Sequence, residues 1–202
     1  MNRRDFLKGA GAAAIVPAAI PSAIWNSSPV ATTAAPIFPP ISAVVFDERY
    51  PDCKLFADAL VRQGAVAFAA NADSAQLWYG SLRAHLAQHP GRVAGLTTYA
   101  DFSVSQSCGR EQNLATLYEG AHDGRRSRTN LTHRLRVAGD AREIAAAMPG
   151  ADVPWAESLA NALSRLPPSR DSALRIAATA TTPRSAGNPG YLASWLLGST
   201  LS

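Results

Sequence analysis

The chain predicts an α/β fold, a three-layer sandwich with a Rossmann-like parallel core of three βα units extended by an antiparallel hairpin. Three observations carry that expectation. Short apolar runs bounded by charge or turn residues alternate with stretches of helical spacing between Ile41 and Gly109. Each strand-helix unit takes about 25 residues, the length a right-handed crossover between parallel strands needs. After Gly109 the pattern changes to strict alternation, which suits antiparallel strands with one wet face.

The first unit opens with Ala43-Val44-Val45-Phe46, a β-branched run that stops at Asp47-Glu48. Pro51-Asp52 then starts a helix in which Cys53, Phe56, Ala57, Leu60 and Val61 share one side, and Gly64 supplies the left-handed residue at its end. Ala65 to Ala69 is the second strand, followed by the turn Asn71-Ala72-Asp73-Ser74. A helix from Ser74 to about His89 turns Ala75, Trp78, Tyr79, Leu82 and Leu86 inward and ends at Pro90-Gly91. Arg92 to Leu96 is the third strand, and Thr97-Thr98 caps a helix from Tyr99 to about Ser107 with Cys108-Gly109 as its stop.

Leu114 to His122 and Leu131 to Val137 alternate, the second with Leu131, His133, Leu135 and Val137 on one face. Between them Asp123-Gly124-Arg125-Arg126-Ser127-Arg128 forms a polar turn. The pair reads as a hairpin at the sheet edge, where positive charge discourages pairing with another sheet. Asp140 caps a short helix through Met148, a second helix runs from about Val153 to Leu166, Leu174 to Ala178 suits a strand, and Tyr191 to Gly198 a terminal strand.

Ahead of this domain lies Asn2-Arg3-Arg4-Asp5-Phe6-Leu7-Lys8, then an apolar stretch from Gly9 to Ile24 interrupted by Pro17 and Pro21. Its weak hydrophobicity and two prolines disfavour a membrane-spanning helix and suit the apolar region of a targeting peptide. The segment resembles a bacterial twin-arginine export signal, with Arg3, Arg4, Phe6, Leu7 and Lys8 as the residues that carry the likeness. The resemblance implies handling by the twin-arginine translocon, export of a chain already folded, and a periplasmic destination. No clean cleavage motif stands out, so a retained signal would leave the protein anchored to the membrane. The expected organisation is signal 1–24, linker 25–40 with four prolines, and one α/β domain 41–202. That leaves about 160 residues for a single hydrophobic core.

The formal charge of +4 falls by half without Arg3, Arg4, Lys8 and Asp5, and Lys54 is the only lysine beyond the signal. So weak a balance implies no nucleic-acid partner. Cys53 and Cys108 either pair or stay as separate buried thiols.

Ligands of open parallel sheets bind outside the carboxyl ends of the strands. Asp47 and Glu48, Asn71 and Asp73, and Thr97 and Thr98 fall there. Asp47, Glu48, Asp73, Thr97 and Thr98 are the candidates for acid-base chemistry, against the plainer role of capping turns and helices. Thr97 and Thr98 at a helix start, and Arg125, Arg126 and Arg128 in the hairpin turn, are candidates for holding an anion. His85 and His89 stand at i, i+4, yet the pattern lacks a glutamate and a third ligand, so no metal is expected.

Dinucleotide and P-loop glycine motifs, a G-x-S-x-G elbow, S-x-x-K and C-x-x-C are all missing from the sequence, and no cofactor is expected. Folded-state export without a cofactor motif points to a non-catalytic accessory or binding protein acting with an exported redox or catabolic enzyme. The alternative is a small cofactor-independent enzyme using the carboxylate and threonine rim.

Overall fold

The computed structural model describes residues 39–70, 73–138, 144, 146, 153–167 and 173–200. The chain divides into two units, Met1–Pro36 and Ile37–Ser202, and every element below belongs to the second. The signal, Asn71, and nearly all of the short helix expected after Asp140 lie outside the described residues.

Seven strands form one mixed sheet: β1 (Ile41–Phe46), β2 (Val66–Ala69), β3 (Arg92–Thr97), β4 (Ala115–Asp123), β5 (Asn130–Val137), β6 (Arg175–Pro183) and β7 (Tyr191–Gly198). Their spatial order is β2-β1-β3-β7-β4-β5-β6. β1 pairs in parallel with β2 and β3, as the three βα units predict. Every other pairing is antiparallel. The α/β class therefore stands, but the sheet is mostly antiparallel and a Rossmann-like description does not extend to it.

The difference comes from β7. Instead of ending the sheet, it inserts between β3 and β4, antiparallel to both. Tyr191-Leu-Ala-Ser-Trp-Leu-Leu-Gly is buried at nearly every position, as a strand covered on both faces must be. The hairpin of β4 and β5 is consequently interior, and β6 takes the edge.

The helices are α1 (Pro51–Val61), α2 (Ser74–Leu77), α3 (Arg83–Gln88), α4 (Tyr99–Glu111) and α5 (Trp155–Arg165). Pro51 suits the first turn of α1, where its missing N–H has no helical partner anyway, and Gly64 (φ 100°) follows the helix in the left-handed region. The single helix expected over 74–89 is broken by a π turn, Trp78–Leu82, in which Gly80 leaves helical geometry. Trp78 and Leu82 are buried there, but Tyr79 faces solvent and donates its hydroxyl to Glu111 (2.9 Å), contrary to a core role. α4 runs past Cys108-Gly109. Gly109 admits Leu197, whose Cδ1 would lie 2.6 Å from an added Cβ, so close packing accounts for this glycine and Asn113 (φ 59°) lies beyond the helix end.

Alternate residues of β1 enter two hydrophobic clusters. Val44 joins Phe56, Leu60, Leu96 and Leu159 with α1 and α5, while Ala43 and Val45 join Trp78, Phe102 and Trp195 with the helices of the other face. Cys53 belongs to the first cluster and Cys108 to the second, and both are free buried thiols. At the other end of the sheet Arg92 is buried and donates to Pro39 O (2.7 Å), Leu166 O (2.6 Å) and Ser164 O (2.9 Å). A cation at the carboxyl end of α5 complements the helix dipole and binds the start of the domain to it.

Further out, β5 and β6 are covered on one face only, among the described residues. Leu131, His133, Leu135 and Val137 are buried, whereas Thr132, Arg134, Thr179 and Thr181 on the opposite side are exposed.

Candidate functional site

Asp47, Glu48, Asp73, Thr97 and Thr98 lie at or just beyond the carboxyl ends of the parallel strands, and capping accounts for much of their chemistry. Asp47 is fully buried beyond β1, its backbone N–H bonded to Leu96 O (3.3 Å). Its carboxylate accepts from Arg49 Nε (2.9 Å) and Nη2 (2.6 Å), a bidentate pair. Glu48 stands exposed in the same turn. Asp73 caps α2, accepting from the Gln76 backbone N–H at 2.9 Å. Thr97 Oγ1 accepts from Trp195 Nε1 (3.2 Å) and donates to Thr98 O (3.1 Å). Thr98 caps α4 and donates to Asp101 Oδ2 (2.6 Å), while Ser74 Oγ donates to Asp101 Oδ1 (2.5 Å). Asp101 thus sets a carboxylate at the helix start where Thr97 and Thr98 were expected to receive an anion. Thr98-x-x-Asp101 is a capping-box spacing, and that was the signal for it.

A second polar cluster, absent from the sequence expectations, lies inside the antiparallel half. His122 Nδ1 is 2.7 Å from His133 Nδ1, His122 Nε2 is 2.7 Å from Ser194 Oγ, and Ser194 Oγ is 2.9 Å from Tyr118 OH. His133 Nε2 lies 2.7 Å from Thr182 Oγ1. The direction of this chain follows from counting donors. If Tyr118 donates to Ser194, Ser194 donates to His122 Nε2, His122 Nδ1–H donates to His133 Nδ1, and His133 Nε2–H donates to Thr182. Thr182 then ends the chain by donating to Pro183 O (3.5 Å). Run the other way, the buried Tyr118 hydroxyl would have to donate without an acceptor, which is costly.

Trp155 lies against both imidazoles, with ring centroids 4.5 Å from His122 and 4.9 Å from His133, and donates its N–H to Asp52 Oδ2 (2.7 Å). Asp52 Oδ1 is buried without a partner among the described residues. Burial holds both imidazoles neutral, His133 down to about 4 and His122 well below its ordinary value. Ser194 beside His122 looks like a nucleophile and its base, yet both are fully buried. The arrangement ties β7, β4, β5 and β6 together. Alternation in β5 put His133 among apolar residues, which was the legible sign of its burial.

On the other side of the same strands a groove of about 390 Å³ is lined by Ala121, Asp123, Arg125, Arg126, Thr132, Arg134 and Tyr191. Arg125 donates to both carboxylate oxygens of Asp123 (2.9 and 2.7 Å) and lies over the Tyr191 ring at 4.9 Å. The Arg125 bonds hold Asp123 down at about 2. Arg126 and Arg134 form no hydrogen bond or ion pair among the described residues. Arg128 is exposed in the turn and does not line the groove.

Residues 1–19 match the family model of the TAT (twin-arginine translocation) pathway signal sequence. The chain carries a Tat signal. Arg3, Arg4, Phe6, Leu7 and Lys8 all lie in the matched stretch, which marks the protein for export across the membrane by the Tat translocon. No helix among the described residues is long and apolar enough to cross a membrane. No curated protein and no solved structure matches the chain.

Proposed function

We propose that this exported chain is a periplasmic, non-catalytic binding protein that works beside an exported redox or catabolic enzyme. Its binding surface is the open, cationic side of β4 and β5 with the neighbouring end of β7. In this reading residues 1–24 are the export signal, 25–40 a linker and 41–202 the domain, and a retained signal would hold the protein at the membrane.

One observation carries the reading: at the rim, Asp47, Asp73, Thr97 and Thr98 all have partners within the fold, whereas Arg126 and Arg134 line a groove and have no hydrogen-bond partner among the described residues. Guanidinium groups in that state are suited to anions or to an acidic partner surface. The rim remains the site of the competing reading, a small enzyme using Asp47, Glu48, Asp73, Thr97 and Thr98.

Size-exclusion chromatography of periplasmic extract separates the two. The wild-type protein should elute in a complex larger than itself, and Arg126→Glu with Arg134→Glu should release it. Asp47→Asn and Thr98→Ala should leave the complex intact. A protein that elutes alone in every form, or a complex lost only in the rim variants, would overturn the proposal.

A further inference from the structure

The groove beside Tyr191 has features that a general docking surface does not need. Arg125 is fixed on three sides: by the two bonds to Asp123, by the Tyr191 ring, and by Gly190, where an added Cβ would lie 2.9 Å from Arg125 Cγ. The turn that bears it is anchored as well, since Gly124 N–H donates to Gly190 O (2.9 Å) and Arg184 Nη1 donates to Gly124 O (3.2 Å). Such fixing lowers the ordering cost of binding. A volume of about 390 Å³ is in the range of small-molecule sites.

The groove also has an aromatic extension. A second depression, lined by Tyr99, Arg125 and Tyr191, shares two of its three residues with the first. Tyr99 is 57% exposed and meets Tyr191 edge to face, with centroids 6.2 Å apart and planes at 78°. An exposed tyrosine ring beside a half-buried one, at the mouth of a cationic groove, is suited to a flat apolar ligand body.

Charge decides the anionic end. Three guanidinium groups line the first groove, but Asp123 lines it too and keeps its negative charge. That carboxylate repels a compact dianion such as phosphate more strongly than it repels a monoanion. A monoanion held in the planar forks of Arg126 and Arg134, with Thr132 beside them, meets less of that repulsion.

We infer that this groove binds an aromatic monocarboxylate, its carboxylate on Arg126 and Arg134 and its ring system against Tyr99 and the stacked Arg125 and Tyr191 side chains. This deepens the binding-protein reading and rests on it.

The test titrates the purified full-length protein with 2-naphthoate, the neutral 2-naphthalenemethanol, inorganic phosphate and an acidic hexapeptide, by calorimetry at constant ionic strength. Naphthoate should bind at least about tenfold more tightly than the alcohol or phosphate, the loss expected for a charge-assisted pair. Arg126→Gln and Arg134→Gln should each weaken naphthoate by about five- to tenfold, with the melting temperature unchanged. Tyr191→Leu should weaken naphthoate more than benzoate, which leaves less ring to cover. Equal binding of alcohol and naphthoate, or phosphate binding as tightly as naphthoate, would overturn the ligand class. If the hexapeptide wins and both arginine variants lose it, the carboxylate ligand is wrong while the binding-face reading survives. If no probe binds and the arginine variants change nothing in the extract either, both fall.

Discussion

His122 and His133 face each other across β4 and β5 with their Nδ1 atoms 2.7 Å apart, and only one proton can occupy that gap. The contact therefore excludes protonation of both rings at once, and burial holds each of them neutral. Tyr118 on β4 is close by through Ser194, and Asp52 on α1 stands behind Trp155.

Acid should consequently unfold this domain at a milder pH than its carboxylates alone would demand. His133 drops from 6.5 to about 4 on folding, and His122 falls in the same direction. Below pH 6.5 the unfolded chain binds protons that the folded chain refuses, so stability is whole above that value and declines as pH falls toward 4. His133 alone should account for a loss of about 3 kcal/mol across this window. Asp123, which is lowered to about 2, shifts in the same direction and loses its contribution only below pH 4. Urea unfolding at pH 7.5, 6, 5 and 4 checks the claim; a midpoint flat down to pH 4.5 refutes it.

Gly120→Ala should be among the costliest single-methyl additions. A Cβ at Gly120 would sit 2.3 Å from Tyr118 OH and 2.4 Å from Ser194 Oγ, where the hydrogen-bonded chain passes. Accommodating it must part that pair, at a cost of about 2–3 kcal/mol from overpacking and a stranded buried hydroxyl. Gly91→Ala is not a useful control, since Ser42 and Pro40 crowd it too. Gly80→Ala is a better one, with nothing within 4 Å. Chemical denaturation of the two variants should show the loss at Gly120 and little at Gly80.

Removing the caps should lower stability without touching ligand binding. Asp73→Ala and Thr98→Ala each delete a side-chain acceptor for a helix N–H, worth about 1 kcal/mol. Thr98→Ala also leaves Asp101 Oδ2 without its donor. Melting temperatures together with naphthoate affinity measure both halves of the claim, and a cap variant that loses affinity would return attention to the rim.

Redox conditions should leave the melting temperature unchanged. Cys53 and Cys108 lie buried in different clusters, one with α1 and one with α4, and burial raises both thiols above their usual range. A thiol reagent should titrate none in the native protein and both in denaturant. A mass loss of two protons in protein recovered from the periplasm would show a disulfide and contradict the structure.

The parallel strands were readable because each is a short apolar run closed by a turn residue, and Asp47, Asp73 and Thr98 fall where βα turns put such residues. The export signal was readable for a different reason, its local motif. The place of β7 was not, because a strand's neighbours are chosen by the whole sheet; only its nearly continuous burial hints at a central position. The same limit hid the buried chain, since Tyr118, His122, His133, Thr182 and Ser194 meet only once four strands are in register. Arginines in the hairpin turn were visible. Tyr191, supplied from β7, was not attached to them by any local pattern.

The strand that joins the two halves of the sheet follows the other six described strands along the chain. A ribosome therefore delivers β1 to β3 and β4 to β6 before it delivers the piece that lies between them, and until then β3 and β4 each present a bare backbone edge. Folding of this centre therefore has to wait until β7 has been made.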